Sequence, residues 1–395
     1  MSDTSYGVPL GPDDRAFRDE VIRFLDTELT REVLGGPGMP SLLSRQREWQ
    51  RRLHAAGLAA ISWPVEHGGR AASPVQQLVF SAEMARRGAP EPVNRSAINQ
   101  LGPTIIQWGD DAQRSYYLPR ILSGEDVWCQ GFSEPDAGSD LAALRTRAIL
   151  QGDTYVVDGR KVWTSKAQYA DWIYILVRTD PLAPKHEGIS FLLIDLRTAG
   201  IEVRPIRQIT GRAEFNEVIF DAVHVPAANV VGPVNRGWEV ATSTLGYERV
   251  GQSRTHRIEL RLARLVRMAS EARREGTRPL DDASVADQLV RFAAQVEALR
   301  HLAAQATAAG VRGLEPGPEA SVAKLLTSEV DQQMTNFGLD LAGAGGVLEE
   351  GAGAAKEGRI AESYLVMRAA TLGAGTSEIQ RNVIGERLLG LPRDH

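Results

Sequence analysis

One cysteine, Cys129, occurs in 395 residues. That excludes an internal disulfide and a cysteine cluster for zinc or iron–sulfur, and it fits a reducing, cytoplasmic setting. The seven histidines are scattered, with no two at ligand spacing, and no Gly-x-Ser-x-Gly elbow is present. A resident metal and a serine-hydrolase elbow are therefore not expected. No apolar run is long enough to span a membrane, and Met1 to Pro12 has no apolar signal core. Positive charge is not in excess: 45 Lys plus Arg stand against 50 Asp plus Glu, a formal charge of −5. This argues against wrapping nucleic acid and against a basic membrane-surface protein. No solenoid-type repeat is found. What remains is an ordinary globular composition, 43% hydrophobic and 24% charged, long enough for two or three domains.

Three blocks follow one another, with boundaries placed at 1–125, 126–234 and 235–395. The first is helical, with segments at Asp13 onward, Leu42 to Ala56, Pro74 to Arg87, Ala97 to Trp108 and Asp111 to Ser123. A Pro/Gly loop, Trp63-Pro64-Val65-Glu66-His67-Gly68-Gly69, interrupts it. From Val127 to Val231 the period becomes that of strands. Thr154 to Val157 and Arg160 to Thr164 read as a hairpin turning at Asp158-Gly159. Trp172 to Val177, Ile189 to Ile194, Ile201 to Ile209 and Glu217 to Val225 complete an expected antiparallel unit. The absence of crossover helices speaks against a doubly wound sheet. The third block is Ala-rich and helical, over Glu239 to Arg274, Ala283 to Ala309 and Glu319 to Ala342.

The stretch Trp128-Cys129-Gln130-Gly131-Phe132-Ser133-Glu134-Pro135-Asp136-Ala137-Gly138-Ser139-Asp140 runs from strand into a polar, Gly- and Pro-broken turn. Such turns sit on a surface and face a ligand. From Ser133 to Asp140 it resembles the flavin-side signature of the acyl-CoA dehydrogenases. So do the Trp63 to Gly69 loop, Trp163-Thr164-Ser165 and the tail Gly375-Thr376-Ser377-Glu378-Ile379-Gln380-Arg381-Asn382. The chain is similar to that family from about residue 13 to its end, in particular to the type acting on fatty-acid or steroid side chains.

The resemblance implies an α+β, mostly α fold: an N-terminal helical domain, a small antiparallel β domain and a C-terminal four-helix bundle. It implies FAD as cofactor, contacted by Gln130, Phe132, Ser133, Ser139, Trp163, Thr164, Ser165, Asp340, Gly343, Ala344, Thr376 and Glu378. It implies an acyl-CoA substrate, contacted by Ser139, Tyr247, Arg249, Ala374 and Gly375. An electron-transfer flavoprotein as electron acceptor, a role in lipid metabolism and a homo- or hetero-oligomer, dimer or tetramer, go with it. Nucleic acid and membrane insertion do not.

The sequence also departs from the family. Asp340 stands where Gln is common, and Ala344 where Gly is common. Gly276-Thr277-Arg278-Pro279-Leu280 lacks the Arg-x-x-Phe-Gly that many members carry. Removing a proton next to a thioester carbonyl needs a well-placed base and a hydrogen-bonded enolate oxygen. The usual Glu before the tail Gly-Thr is replaced by Ala374. A subset of the family, including isovaleryl-type members, keeps its base on the first C-terminal helix beside an Arg. Glu248, in Leu245-Gly246-Tyr247-Glu248-Arg249-Val250-Gly251, matches that place and is the expected base. Gly373 leaves room for a branched, cyclic or steroid-like acyl chain. A flavin oxidase or monooxygenase of the same fold, and a non-catalytic subunit of a heteromeric enzyme, are the alternatives, since fold does not fix chemistry.

Overall fold

The computed structural model describes residues 4–5, 8–35, 41–251, 255–273, 276–314 and 317–392, without the side chains of 4–5 and 248–251. The chain forms two compact units, one of Ile22–Ser73 and Gly88–Gly251, the other of Met1–Val21, Pro74–Arg87 and Gln252–His395. No helix among the described residues is long and apolar enough to cross a membrane.

In chain order the elements begin with β1 (Thr4–Ser5), β2 (Val8–Pro9), α1 (Pro12–Glu28), α2 (Arg31–Leu34), α3 (Leu42–Ala55), α4 (Pro74–Arg86), α5 (Gly102–Trp108) and α6 (Asp111–Ser123). A π-helical turn, Ala97–Leu101, leads into α5. The Trp63 to Gly69 loop is a working part of the first unit. Trp63 is buried and its Nε1 donates to the Ile98 carbonyl at 2.8 Å. A Cβ on Gly102 would lie 1.9 Å from that indole, so glycine is required where α5 begins.

The strands are β3 (Trp128–Gly131), β4 (Arg147–Gln151), β5 (Thr154–Ser165), β6 (Trp172–Arg178), β7 (Ile189–Asp195), β8 (Ile201–Ile206), β9 (Phe215–Pro226) and β10 (Val230–Val231). They form one sheet in the order β10-β7-β6-β4-β5-β9-β8, with β3 pairing β6. β6 is buried on both faces, which explains its unbroken apolar run. Trp172, Tyr174 and Leu176 pack with Trp128, Phe132 and residues of α5 and α6. Ile173, Ile175 and Val177 pack with Tyr155, Val157, Val218 and Phe220 of β5 and β9. A buried polar hub fixes the start of β3: Asn94 accepts from the Trp128 N–H at 3.0 Å and donates to the Asp126 carbonyl at 2.6 Å.

Two strand expectations are corrected. Asp158-Gly159 is no hairpin turn. β5 runs straight through it, and the turn falls two-residue-tight at Gly152-Asp153, between Gln151 and Thr154. Gly159 marks a bulge instead: the register with β9 shifts between Val157 and Gly159. A Cβ there would sit 2.7 Å from the Thr146 Cα. Nor is the sheet wholly antiparallel. β3 runs parallel to β6, and β4 meets β6 parallel at Arg147 and Arg178. Parallel strands need a long crossover; here the β4–β5 hairpin supplies it, so no crossover helix announced it in the sequence.

Beyond the sheet come α7 (Gly237–Gly251), α8 (Thr255–Glu271), α9 (Ala283–Val311), α10 (Glu319–Ala342), α11 (Arg359–Met367) and α12 (Ser377–Val383). The expected helical stretch from Glu239 to Arg274 is helical in its described parts up to Glu271, over α7 and α8, and residues 252–254 lie outside the described residues. α7 belongs to the sheet-bearing unit, and α8 to α12 to the other. The second unit has its own core, with Ile258, Leu265, Phe292, Val296, Leu299, Val330 and Met334 contributed by α8, α9 and α10.

Candidate active site

β5 carries the first group of candidate residues. Between Lys161 and Thr164 it advances three residues while β9 advances two, from Val218 to Asn216. This is a bulge, which bends a strand and re-aims its side chains. Trp163 takes φ +60° there. A bulky residue in left-handed backbone costs on the order of 1 kcal/mol, and such outliers cluster at working sites. The result is an indole 58% exposed at the surface, edge-on to Phe215. Ser165 is exposed on the same strand two residues on. Thr164 is turned inward and buried; its Oγ1 and the Oδ1 of Asn216, its partner across the register, find no hydrogen bond among the described residues. Each such group costs about 1–3 kcal/mol.

The turn after β3 docks beside this bulge. The Val162 N–H donates to the Ser133 carbonyl at 2.9 Å. Ser133 is half-buried and Ser139 exposed. Phe132 is buried edge-on to Tyr174 and Phe191, so its side chain serves the core. Gln130 is half-buried on β3. Beneath the turn lies an ion pair that sequence reasoning missed. Lys161, fully buried, donates from Nζ to Glu134 Oε1 at 2.8 Å and to the Phe132 carbonyl at 3.2 Å. The Glu134 carboxylate also accepts the Arg145 and Thr146 N–H groups at 2.7 and 2.9 Å. Burial pushes the Lys161 ammonium down to about 8, against the pull of Glu134. Burial would raise Glu134, but Lys161 and the hydrogen bonds hold it below the usual carboxylate range. The signal was available: Lys161 falls on the inward-facing alternation of β5.

α7 is the candidate base helix. Thr244 bonds Thr104 at 2.8 Å, the Trp108 Nε1 donates to Ser243 Oγ at 2.8 Å, and Tyr247 bonds Gln107 at 2.9 Å. Three contacts over one turn and a half fix α7 against α5. Glu248 and Arg249 lie on this helix; their side chains are outside the described residues. Tyr247 is half-buried.

The tail residues lie in the other unit. Ala374, at the family's usual base position, is exposed with φ +56°. Gln380 donates to the Ala374 and Gly375 carbonyls at 3.1 and 3.3 Å. The Ala374 N–H has no acceptor among the described residues. Thr376 caps α12, accepting from the Ile379 N–H at 3.3 Å. Glu378 is exposed, and backbone and Thr376 hydrogen bonds hold its carboxyl below the usual range. The loop before it is tied down by Gln332, whose Nε2 reaches the Met367 carbonyl and Thr371 Oγ1, both at 3.0 Å. Asp340 and Ala344 are exposed, and Gly343 ends α10 with φ +62°. Arg278, in the segment lacking Phe-Gly, is paired in two-point fashion with Asp281.

A flavin ring asks for an exposed apolar wall with hydroxyls along its edge. The bulge meets this: Trp163 offers the wall and Ser165 the hydroxyl on one face of β5, with Ser133 docked alongside. The residues present fit FAD. Among the described residues no group of three or more His, Cys, Asp or Glu could hold a metal.

Comparison with known proteins identifies the family. The acyl-CoA dehydrogenase N-terminal domain model matches residues 11–125, the middle domain 129–223 and the C-terminal domain 235–389. The chain is 41% identical to acyl-CoA dehydrogenase IpdE1 of Mycobacterium tuberculosis, over 97% of its own length and 99% of the relative's. Its fold is similar to the ChsE4-ChsE5 complex from the same organism, with TM-score 0.86, 34% identity and coverage of 98% and 100%. It is also similar to the Tcur3481-Tcur3483 steroid ACAD, with TM-score 0.83, 32% identity and coverage of 98% and 99%. The chain belongs to the acyl-CoA dehydrogenase family, a family of flavoprotein oxidoreductases.

Proposed function

We propose that this chain is an FAD-dependent acyl-CoA dehydrogenase that converts an acyl-CoA to its 2,3-enoyl-CoA. The observation that carries this is Trp163, an exposed indole held at φ +60° on a bulge beside the Ser133 turn. When bound, FAD supplies at N5 the acceptor for the hydride leaving the β-carbon. Trp163 walls the ring, and Ser133 and Ser165 hydrogen-bond its edge. Gln130, Ser139, Asp340, Gly343, Ala344, Thr376 and Glu378 complete the cofactor contacts, with Phe132 through its backbone; Thr164, turned inward and buried, is left out of them.

Glu248 takes the α-proton. A carboxylate shielded from water is basic enough to help. The unengaged Ala374 N–H holds the thioester oxygen as enolate charge develops. Ser139, Tyr247, Arg249 and Gly375 bind the acyl-CoA. An electron-transfer flavoprotein takes the electrons. A branched, cyclic or steroid-like acyl group is favoured by Gly373 and by the steroid relative. An assembly with a sister subunit is favoured by the missing Arg-x-x-Phe-Gly and by the two-component complex among the similar structures.

The test is anaerobic reduction. Purified protein should be yellow and bleach with a suitable acyl-CoA, and Glu248→Gln should keep FAD yet lose bleaching. Rapid oxygen consumption with peroxide release would make it an oxidase. A second reading rests on Ala374: a non-catalytic subunit would be colourless and gain FAD only with another polypeptide.

A further inference from the structure

We propose that Lys161, with its counter-ion Glu134, and Asn216 are positioning residues that hold the Val162-Trp163 bulge in its flavin-facing shape. The bulge is gripped at three points. Upstream, the buried Lys161 ammonium bridges the Phe132 carbonyl and Glu134. At its crest, the Val162 N–H meets the Ser133 carbonyl. Downstream, Asn216 Nδ2 donates to the Thr164 carbonyl at 2.9 Å and to Gln168 Oε1 at 2.6 Å. Gln168 in turn donates to the Ala213 carbonyl at 2.6 Å.

None of these groups reaches the exposed face where Trp163 and Ser165 stand. Lys161 is 0% and Asn216 0% exposed. Their common effect is on the backbone from residue 161 to 164, the segment forced into left-handed geometry at Trp163. A buried charge pair is weak evidence for stability, because desolvation offsets its attraction. Its better-attested use is to specify one conformation. Here that conformation joins the turn carrying Ser133 to the strand carrying Trp163 and Ser165, two segments linked by the Lys161–Glu134 contact across 27 residues, by Lys161 to the Phe132 carbonyl and by Val162 to the Ser133 carbonyl.

This inference rests on the flavin reading for its functional consequence, but not for its structural one. The charge-neutral double substitution Glu134→Gln with Lys161→Met, in the full chain, separates them. The expected result is a cooperative melt with FAD binding weakened about 10- to 100-fold, the cost of a misplaced contact. The bound flavin's visible spectrum should shift, and amide hydrogen exchange should quicken about tenfold in the peptide spanning 161–166 alone. Exchange and FAD affinity both at wild-type values would overturn the proposal. Wild-type protein that takes up no FAD, alone or with a partner subunit, would sink the flavin reading; faster local exchange in the variant would still uphold the positioning role. If the double variant does not fold, Asn216→Ser removes only the downstream grip. It should loosen the same peptide and weaken FAD, and unchanged exchange there would count against the idea.

Discussion

Thr104 and Thr244, both fully buried and 140 residues apart, share a hydrogen bond of 2.8 Å. Each hydroxyl also lies within reach of a carbonyl of its own helix, Gln100 at 2.8 Å from Thr104 and Val240 at 2.7 Å from Thr244; with one proton each, one threonine donates to the other, which donates to its helix. The pair therefore sets the register of α7 on α5, and α7 carries Glu248. Thr244→Val keeps the shape and removes the bond. It should cost about 1 kcal/mol in urea unfolding. Turnover should fall about tenfold or more, chiefly in kcat, because a base shifted by a fraction of an ångström loses its alignment. Lost stability with full turnover would show that the register is set elsewhere.

Trp163 stores strain that the folded chain does not need for its own sake. Glycine adopts φ +60° freely, and an indole 58% exposed contributes little to the core. Trp163→Gly should therefore leave the apo protein as stable as wild type, or stabler by up to about 1 kcal/mol. FAD affinity should fall at least about tenfold with loss of the aromatic wall. A thermal melt of apo protein and a flavin titration check both halves. A clear loss of apo stability would make Trp163 a structural residue.

Much of this was legible in the sequence because periodicity and motif agreed. α10 was read from Glu319 to Ala342 and is found there. β6 and β7 were read as buried strands from their unbroken apolar runs. The reading failed where one dipeptide fits two geometries. Asp158-Gly159 carries the signature of a tight turn, but glycine serves equally where two backbones approach closely, and Thr146 decides which. The parallel pairing of β3 with β6 was hidden because a hairpin, not a helix, makes the crossover. Lys161 falls on the inward-facing alternation of β5, which marks it as buried, but what it pairs with, and the role of Asn216 across the bulge, depend on partners distant in sequence.

His256 makes stability depend on pH. It is buried at the start of α8, with Glu259 on the same helix 3.8 Å from Nδ1. Around Glu259 stand Arg300 and Glu297 of α9 and Arg86 of α4. Burial lowers the imidazole from 6.5 to about 4. Between these values the unfolded chain binds a proton that the folded chain refuses, so stability falls as pH drops from 6.5 towards 4. The group's contribution is on the order of 3 kcal/mol. Urea midpoints at pH 7 and pH 5 should differ clearly for wild type and less for His256→Gln. Equal pH slopes would remove His256 as the source.

Gly373 is the position at which acyl selectivity should be easiest to move without harming the fold. Among the described residues an added Cβ would meet only the Ala369 carbonyl oxygen, at 3.8 Å, an ordinary contact. Its φ is not in the left-handed region, unlike that of its neighbours Ala374 and Gly375, so a side chain there strains nothing. Gly373→Leu should therefore change unfolding stability by no more than about 0.5 kcal/mol. If Gly373 leaves space for a bulky acyl group, the added isobutyl group fills it. Flavin reduction by branched, cyclic or steroid-like acyl-CoA thioesters should then drop about 10- to 100-fold, while straight short chains are spared. The measurement is anaerobic flavin bleaching across a panel of thioesters, wild type against variant. A uniform loss over the whole panel would mean that residue 373 affects the base or the cofactor and not the shape of the acyl group.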